Sequence, residues 1–258
     1  MMKQEKPWDK NNIFAEIDFL KRKIASFRPL TKGEMQRLRD EFTVEYTFDS
    51  NAIEGNTLTL RETAMVLEGV TIDKKPLKDH LEAIGHRDAF NYILEMIQKQ
   101  ANLTERFAKE IHSLVLIDRP EDKGVYRSIP VRILGAFHTP PLPVQIPEKM
   151  EQLIAEYGKS TLHPIEKAAL FHLKFEGIHP FIDGNGRTGR LILNFSLMKN
   201  GYLPVDVKFA DRKRYYDAFD SYYRDKTSEP MIQLISEYEI SQENRFFSIL
   251  KIKGEKGP

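Results

Sequence analysis

Apolar residues recur along most of this chain at intervals of three and four. Phe14, Ile17, Leu20 and Ile24 share one helical face, and Met35, Leu38, Phe42 and Tyr46 share another. Two amphipathic helices are therefore expected near the start, each needing a surface to pack on. Thr59-Leu60-Arg61-Glu62 has capping-box spacing and predicts a short helix that Gly69 can close. Leu81, Ile84, Phe90, Ile93, Leu94 and Ile97 predict a longer helix over about 78–98, and another follows over about 104–116. Pro164 opens a further helix that Gly177 is expected to end. The run containing Leu191, Ile192, Leu193, Phe195, Leu197 and Met198 is apolar nearly all round, which marks a central, buried helix stopped by Gly201 and Pro204. Only one stretch alternates with period two. Val125-Tyr126-Arg127 and residues 130–134, with Gly135 to turn and Pro140-Pro141 to close, predict a short β-hairpin.

Composition narrows the possibilities. At 258 residues, 41% hydrophobic and 30% charged, the chain can bury a full core, and one body with a helical extension suits that length. The 39 basic residues nearly balance the 38 acidic ones, giving +1 with no long block of either sign, so binding nucleic acid through a bulk basic field is excluded. The absence of cysteine removes disulfides, thiolate metal sites and a cysteine nucleophile. No apolar run reaches membrane-spanning length, and Met1-Met2-Lys3-Gln4-Glu5-Lys6-Pro7 lacks a signal-peptide core, so no membrane partner and a cytoplasmic location are expected. Residues 253–258 are expected to be disordered. His172 lies seven before His179 without zinc-site spacing and is expected to satisfy a hydrogen bond within its helix; His80, His86, His112, His138 and His163 are scattered, and none is assigned to metal.

The chemistry concentrates in residues 179–190. His-Pro-Phe-Ile-Asp-Gly-Asn-Gly-Arg-Thr-Gly-Arg contains a candidate base, a hard-metal ligand, an amide, glycines and two guanidinium groups. Gly184 and Gly186 let main-chain N–H groups approach an anion, and the apolar helix that follows puts that anion at a helix N-terminus. Arg187 and Arg190, three apart, fall on one helical face where each can grip phosphate oxygens. Asp183 supplies the oxygen that Mg²⁺ prefers, with phosphates and waters completing its shell. Such an inventory suits a nucleoside triphosphate.

His179, Phe181, Asp183, Gly184, Asn185, Gly186, Arg187 and Arg190 match the signature H-x-F-x-(D/E)-G-N-G-R-x-x-R, so the chain resembles the Fic family. That resemblance implies a mainly α fold, with a Fic-type helical core, a short β-hairpin flap at about 125–141 and an N-terminal helical extension. It implies an N-terminal region over 1–100, a catalytic core over 101–238 and a helix end with a tail over 239–258. The implied activity is transfer of AMP from ATP to a Ser, Thr or Tyr hydroxyl of a target protein, releasing pyrophosphate. His179 would be the general base, needing no large pKa shift because imidazole titrates near neutrality. Asp183 would hold Mg²⁺; Gly184, Asn185 and Gly186 would cradle the phosphates; Arg187 and Arg190 would hold β- and γ-phosphates. Phe181 reads as an apolar anchor. Tyr215 and Tyr216 are candidates for the adenine pocket, whereas the family's asparagine further on is replaced by Tyr223. The target is expected to dock by strand addition on the flap.

Upstream, Ser50-Asn51-Ala52-Ile53-Glu54-Gly55 resembles the inhibitory motif (S/T)-x-x-x-E-(G/N) of some Fic proteins. Ser50 and Glu54 share a helical face, and Gly55 can end that helix in the left-handed conformation. The resemblance implies that Glu54 pairs with Arg190 and denies the γ-phosphate its partner. The same carboxylate could orient water to remove AMP from a modified target. Transfer of a terminal phosphate and a non-catalytic nucleotide sensor are the other readings. An amphipathic helical surface could also support a symmetric dimer.

Overall fold

The computed structural model describes residues 8–27, 30–133 and 135–254, with side chains described to residue 250. Ten α-helices occur among them: α1 (Lys10–Ala25), α2 (Lys32–Ile53), α3 (Leu60–Leu67), α4 (Leu77–Gln98), α5 (Glu105–Val115), α6 (Ile146–Lys159), α7 (Pro164–Ile178), α8 (Asn185–Lys199), α9 (Arg212–Arg224) and α10 (Glu229–Gly254). The expected capping box forms, Thr59 with Glu62 on α3, and a second, unforeseen one joins Thr31 and Glu34 on α2. Each satisfies two N-terminal donors that a helix cannot satisfy internally.

The centre of the molecule is α8. Leu191, Ile192, Leu193, Phe195 and Leu197 are all buried, as an all-round apolar helix requires, and α7, α4 and α5 pack around it. One apolar cluster joins Phe90, Ile111, Phe175, Phe181 and Phe195; a second joins Ile17, Ile165, Leu193, Tyr215 and Ile235, so that α1 and α10 close the far side. Each such side chain contributes about 1.5–3 kcal/mol on burial. Gly85 permits the closest helix approach, because a β-carbon there would collide with the Leu114 carbonyl oxygen on α5.

The buried face of α4 is more polar than its apolar spacing implied. Asp79, His80, Glu82 and His86 are buried alongside Ala89, Phe90 and Ile93, since its first half faces polar chain rather than core. Asp79 accepts from the Thr57 amide and hydroxyl, and Glu82 accepts from Asn56 Nδ2. These contacts seat the loop that follows α2.

Two expectations need correction. No β-strand forms among the described residues, so the hairpin flap is absent; Leu134 itself lies outside them. Residues 125–142 instead run as turns and extended chain because a single side chain takes the place of a ladder. Arg127 Nε donates to His179 O (2.8 Å), Nη1 to Ile129 O (3.0 Å) and Nη2 to Pro141 O (2.7 Å), while its amide donates to Pro180 O (3.0 Å). Pro130, Pro140 and Pro141 lack the N–H that a second strand would need. Helix α7, in turn, does not end at Gly177. It runs one residue further, and Gly177 is needed because a β-carbon would collide with the Tyr223 hydroxyl, which donates to Leu173 O.

Helix α10 continues to Gly254, two residues into the tail expected to lack structure; the rest of that tail, like residues 1–7, lies outside the described residues. No helix among the described residues is long and apolar enough to cross a membrane. Because one buried guanidinium gathers three chain segments, Arg127→Met is expected to lower stability by about 3 kcal/mol and to expose residues 128–141 to proteolysis. Thermal melting and limited digestion would check both effects.

Candidate active site

The loop between α7 and α8 gets its shape from two left-handed residues. His179 caps α7 at φ 49°, ψ 61°, and Gly184 caps α8 at φ 73°. A histidine held at positive φ is uncommon, and such strain concentrates at functional sites. Between these residues, Asn185 clamps Phe181 twice: its Oδ1 accepts from the Phe181 amide and its Nδ2 donates to the Phe181 carbonyl, both at 2.9 Å. The Phe181 ring lies flat on His112, with centroids 3.6 Å apart. His112 Nδ1 accepts from the Gly124 amide (2.8 Å), so the ring proton sits on Nε2 and donates to Asp183 O (3.0 Å). Burial pulls the His112 pKa down to about 4, which keeps this neutral tautomer in place.

The expected anion ligands do not all reach the cleft. Asn185 is fully engaged with Phe181, so its side chain shapes the loop rather than offering donors. Arg187 is buried towards α4, where Nη1 lies 3.1 Å from Glu82 and Nη2 3.6 Å from Asp183. Arg190 is buried on the α2 side. Its Nε donates to Ser50 Oγ (3.0 Å), Nη2 to Ser50 O (2.7 Å) and to Glu54 Oε1 (2.8 Å), and Nη1 to Tyr215 OH (3.3 Å). Helix α2 ends at Glu54, and Gly55 turns the chain at φ 94°. The Glu54 carboxylate lies so close over Gly186 that a β-carbon there would collide with it. An acidic group therefore occupies the N-terminal end of α8, where main-chain donors and helix dipole favour an anion.

A cleft of about 500 Å³ opens beside it, lined by Glu54, Glu176, His179, Gly186, Tyr216 and Phe219, with Ile133, Gly135, Ala136 and His138 along another side. Tyr216 borders this space, whereas Tyr215 is buried behind Arg190 and does not line it. Tyr215 therefore corrects the adenine-pocket expectation: its hydroxyl joins His172 Nε2 (2.7 Å) to Arg190. That contact also places the His172 partner on α9 instead of within α7. Burial, then the Arg127 guanidinium, pull the His179 pKa down to about 4, contrary to the expectation of an unshifted imidazole. The ring is thus neutral throughout the physiological range. Its Nδ1 is buried without a partner, leaving Nε2 for the cleft.

Asp183 keeps a third of its side chain exposed (33%), accepting from the Gly184 amide (2.6 Å) and lying 3.1 Å from Arg119. Burial would push its carboxyl up, but Arg187, the Gly184 N–H and Arg119 together bring it below its ordinary value. One anionic, partly hydrated oxygen donor suits Mg²⁺, which keeps waters and takes most ligands from phosphates.

A family model described as Fic/DOC matches residues 102–197. The chain is 38% identical over 208 residues to the protein adenylyltransferase Fic of Nematostella vectensis, covering 78% of this chain and 48% of that protein. The chain belongs to the Fic family. A second protein adenylyltransferase Fic, from Drosophila yakuba, is 37% identical over 192 residues, covering 72% of this chain and 38% of its own. The chain thus spans half or less of these curated relatives' lengths. Among solved structures, a Fic-domain signalling protein from Bacteroides thetaiotaomicron superposes with TM-score 0.83 at 28% identity, over 93% of this chain and 97% of the other. Fic-1 of C. elegans superposes with TM-score 0.85 at 25% identity, over 95% and 73%.

His112, Arg119 and Arg127 were not singled out from this Fic sequence. They lie 50–70 residues upstream of the signature with no motif spacing to it, and only the folded loop shows what they hold. His112→Ala would strip the Phe181 ring of its stacking partner and leave Gly124 N–H and Asp183 O without theirs. It is expected to cost about 2–4 kcal/mol in denaturant unfolding and to weaken nucleotide binding by calorimetry.

Proposed function

We propose that this Fic protein transfers AMP from ATP to a hydroxyl side chain of a protein target and holds itself in check through Glu54. The single observation that carries this reading is the pairing of Glu54 with Arg190 over Gly186, beside a neutral His179. A carboxylate and a phosphate compete for the same guanidinium and helix end. With Glu54 withdrawn, Arg190 and the amides at the start of α8 take the outer phosphates, and Arg187, behind Asp183, adds positive field. Asp183 would hold Mg²⁺, which when bound neutralises charge on the phosphates of its co-substrate ATP.

His179 Nε2 accepts the proton of the incoming hydroxyl as its oxygen bonds to the α-phosphorus. The bond from that phosphorus to the bridging oxygen breaks, and pyrophosphate carries away the electron pair. Tyr216 and Phe219 offer apolar and aromatic surface for the base. The target's hydroxyl enters past Ile133, Gly135, Ala136 and His138, which line the cleft together with His179.

Incubating the parent and Glu54→Gly proteins with ATP labelled at the α- or γ-phosphate, Mg²⁺ and cell extract tests this. Label should transfer from α only, and more strongly with the variant; transfer from γ, or equal labelling by both proteins, would refute it. His179→Ala in the Glu54→Gly background should lose ~10²–10⁴ in rate with ATP affinity retained.

A further inference from the structure

Three buried nitrogen and oxygen atoms along one face of α7 and its cap lack a well-formed hydrogen bond: His172 Nδ1, Glu176 Oε1 and His179 Nδ1, with the backbone of Gly189 near the His172 ring and that of Glu176 near the His179 ring. Their spacing of four and three residues brings them onto one line. The space they occupy exists only because position 189 is glycine. A β-carbon there would sit 2.6 Å from Glu176 Oε1 and 2.8 Å from His172 Nδ1. The other Glu176 oxygen, Oε2, lies 3.8 Å from His179 Nδ1, too far for a hydrogen bond but within reach of a small side-chain rotation. Glu176 also lines the cleft.

Proton donors and acceptors can be assigned around this line. Arg190 can only donate, so Tyr215 accepts from it and gives its own proton to His172 Nε2. His172 then carries its proton on Nδ1, facing the hollow. The groups that face Glu176 are Glu54 from the end of α2, Arg190 from α8, His172 and His179 from its own helix, and Tyr215, Tyr216 and Tyr223 from α9. Arg127 and His138 face the far side of His179.

We propose that Glu176 is the positioning carboxylate of His179: it accepts the Nδ1 proton and so holds Nε2 bare and turned towards the incoming hydroxyl. This rests on the reading of His179 as the base. Burial, then the charge of Glu54, push the Glu176 carboxyl up to about 8, so it stays protonated while Glu54 is engaged. A protonated acid can instead donate its O–H to Nδ1, which leaves the ring proton on Nε2, the wrong tautomer for a base. Burial persists when Glu54 withdraws, but one of the two influences raising the Glu176 carboxyl is lost while Arg190 still lowers it, so ionisation becomes easier and the carboxylate that forms draws in Nδ1–H. Glu54 would therefore disarm the base as well as block the phosphate.

The test uses full-length Glu54→Gly protein and its Glu176→Gln and Glu176→Leu variants, the first being nearly isosteric with the hollow. In ¹⁵N-histidine NMR, with His179 assigned by its loss in His179→Asn, the Glu54→Gly protein should show the Nδ1–H tautomer. Glu176→Gln should lower the His179 pKa, because a negative neighbour is lost. For AMP transfer, kcat should fall about tenfold in the Gln variant and further in the Leu variant, with KM for ATP unchanged. The rise of kcat with pH through the Glu176 ionisation should vanish in the Gln variant. An unchanged His179 tautomer and pKa in Glu176→Gln would overturn the proposal, as would a lower kcat with the same pH profile. The NMR readout decides even if no AMP transfer is found, so this inference and the activity it rests on fail separately.

Discussion

A guanidinium sealed inside the protein organises everything around it. Arg190 is buried on a central helix, and burial of an uncompensated charge is among the largest penalties a fold can carry. Ser50 and Tyr215 give it neutral acceptors, but among the described residues its one ionised partner is Glu54. That partner is the most exposed member of the group, with 34% of its side chain open to the cleft. The fold therefore holds a fixed cation whose counter-anion is exchangeable. Burial lowers the Arg190 pKa, but Tyr215 and Glu54 together keep it raised, so the charge itself never switches off.

The neighbouring groups keep that cation's field uncompensated in the cleft by being neutral. His112, His172 and His179 all have pKa values drawn down to about 3–4 by burial, and Glu176 is held protonated near neutrality. Asn185 and Phe181 lock the loop without adding charge. At neutral pH Arg190 and the positive end of α8 thus meet one carboxylate competitor, Glu54, with Asp220 elsewhere on the cleft wall. A polyanion can be bound there only by displacing that competitor, whereas a neutral ligand meets no such barrier.

Much of this was legible in the sequence wherever a local rule governs. The apolar period of α8, the Thr59 capping box, the left-handed Gly55 and the twelve-residue signature all act over short distances. Residue types alone reveal them. What stayed hidden depends on partners far along the chain. Arg127 replaced a β-ladder with side-chain bonds to carbonyls from residues 129 to 179, although period-two alternation around it had suggested a hairpin. Gly177 looked like a helix stop and instead makes room for a tyrosine 46 positions later. Tyr215 and Tyr216 are neighbours of one type, yet a turn of about 100° on α9 sends one into the core and the other to the cleft.

How Glu54 can leave follows from how α2 is held. From Thr43 to Ile53 that helix is largely buried, and Asp49 accepts from the Phe209 amide (2.8 Å) and pairs with Lys208 (3.1 Å). Lys208 also reaches Glu45, which Arg245 of α10 contacts from the other side. Moving α2 as a unit would break this network and expose apolar residues on several helices together. Rotating the Glu54 side chain at the helix end breaks one ion pair, and Ser50 stays on Arg190 throughout. Release is therefore a local event at the last turn, in which an arriving phosphate needs to outcompete one carboxylate tethered beside its own site. In the proposed inhibition, its strength would be set less by the pair itself than by how firmly Asp49 and Glu45 keep that carboxylate within reach.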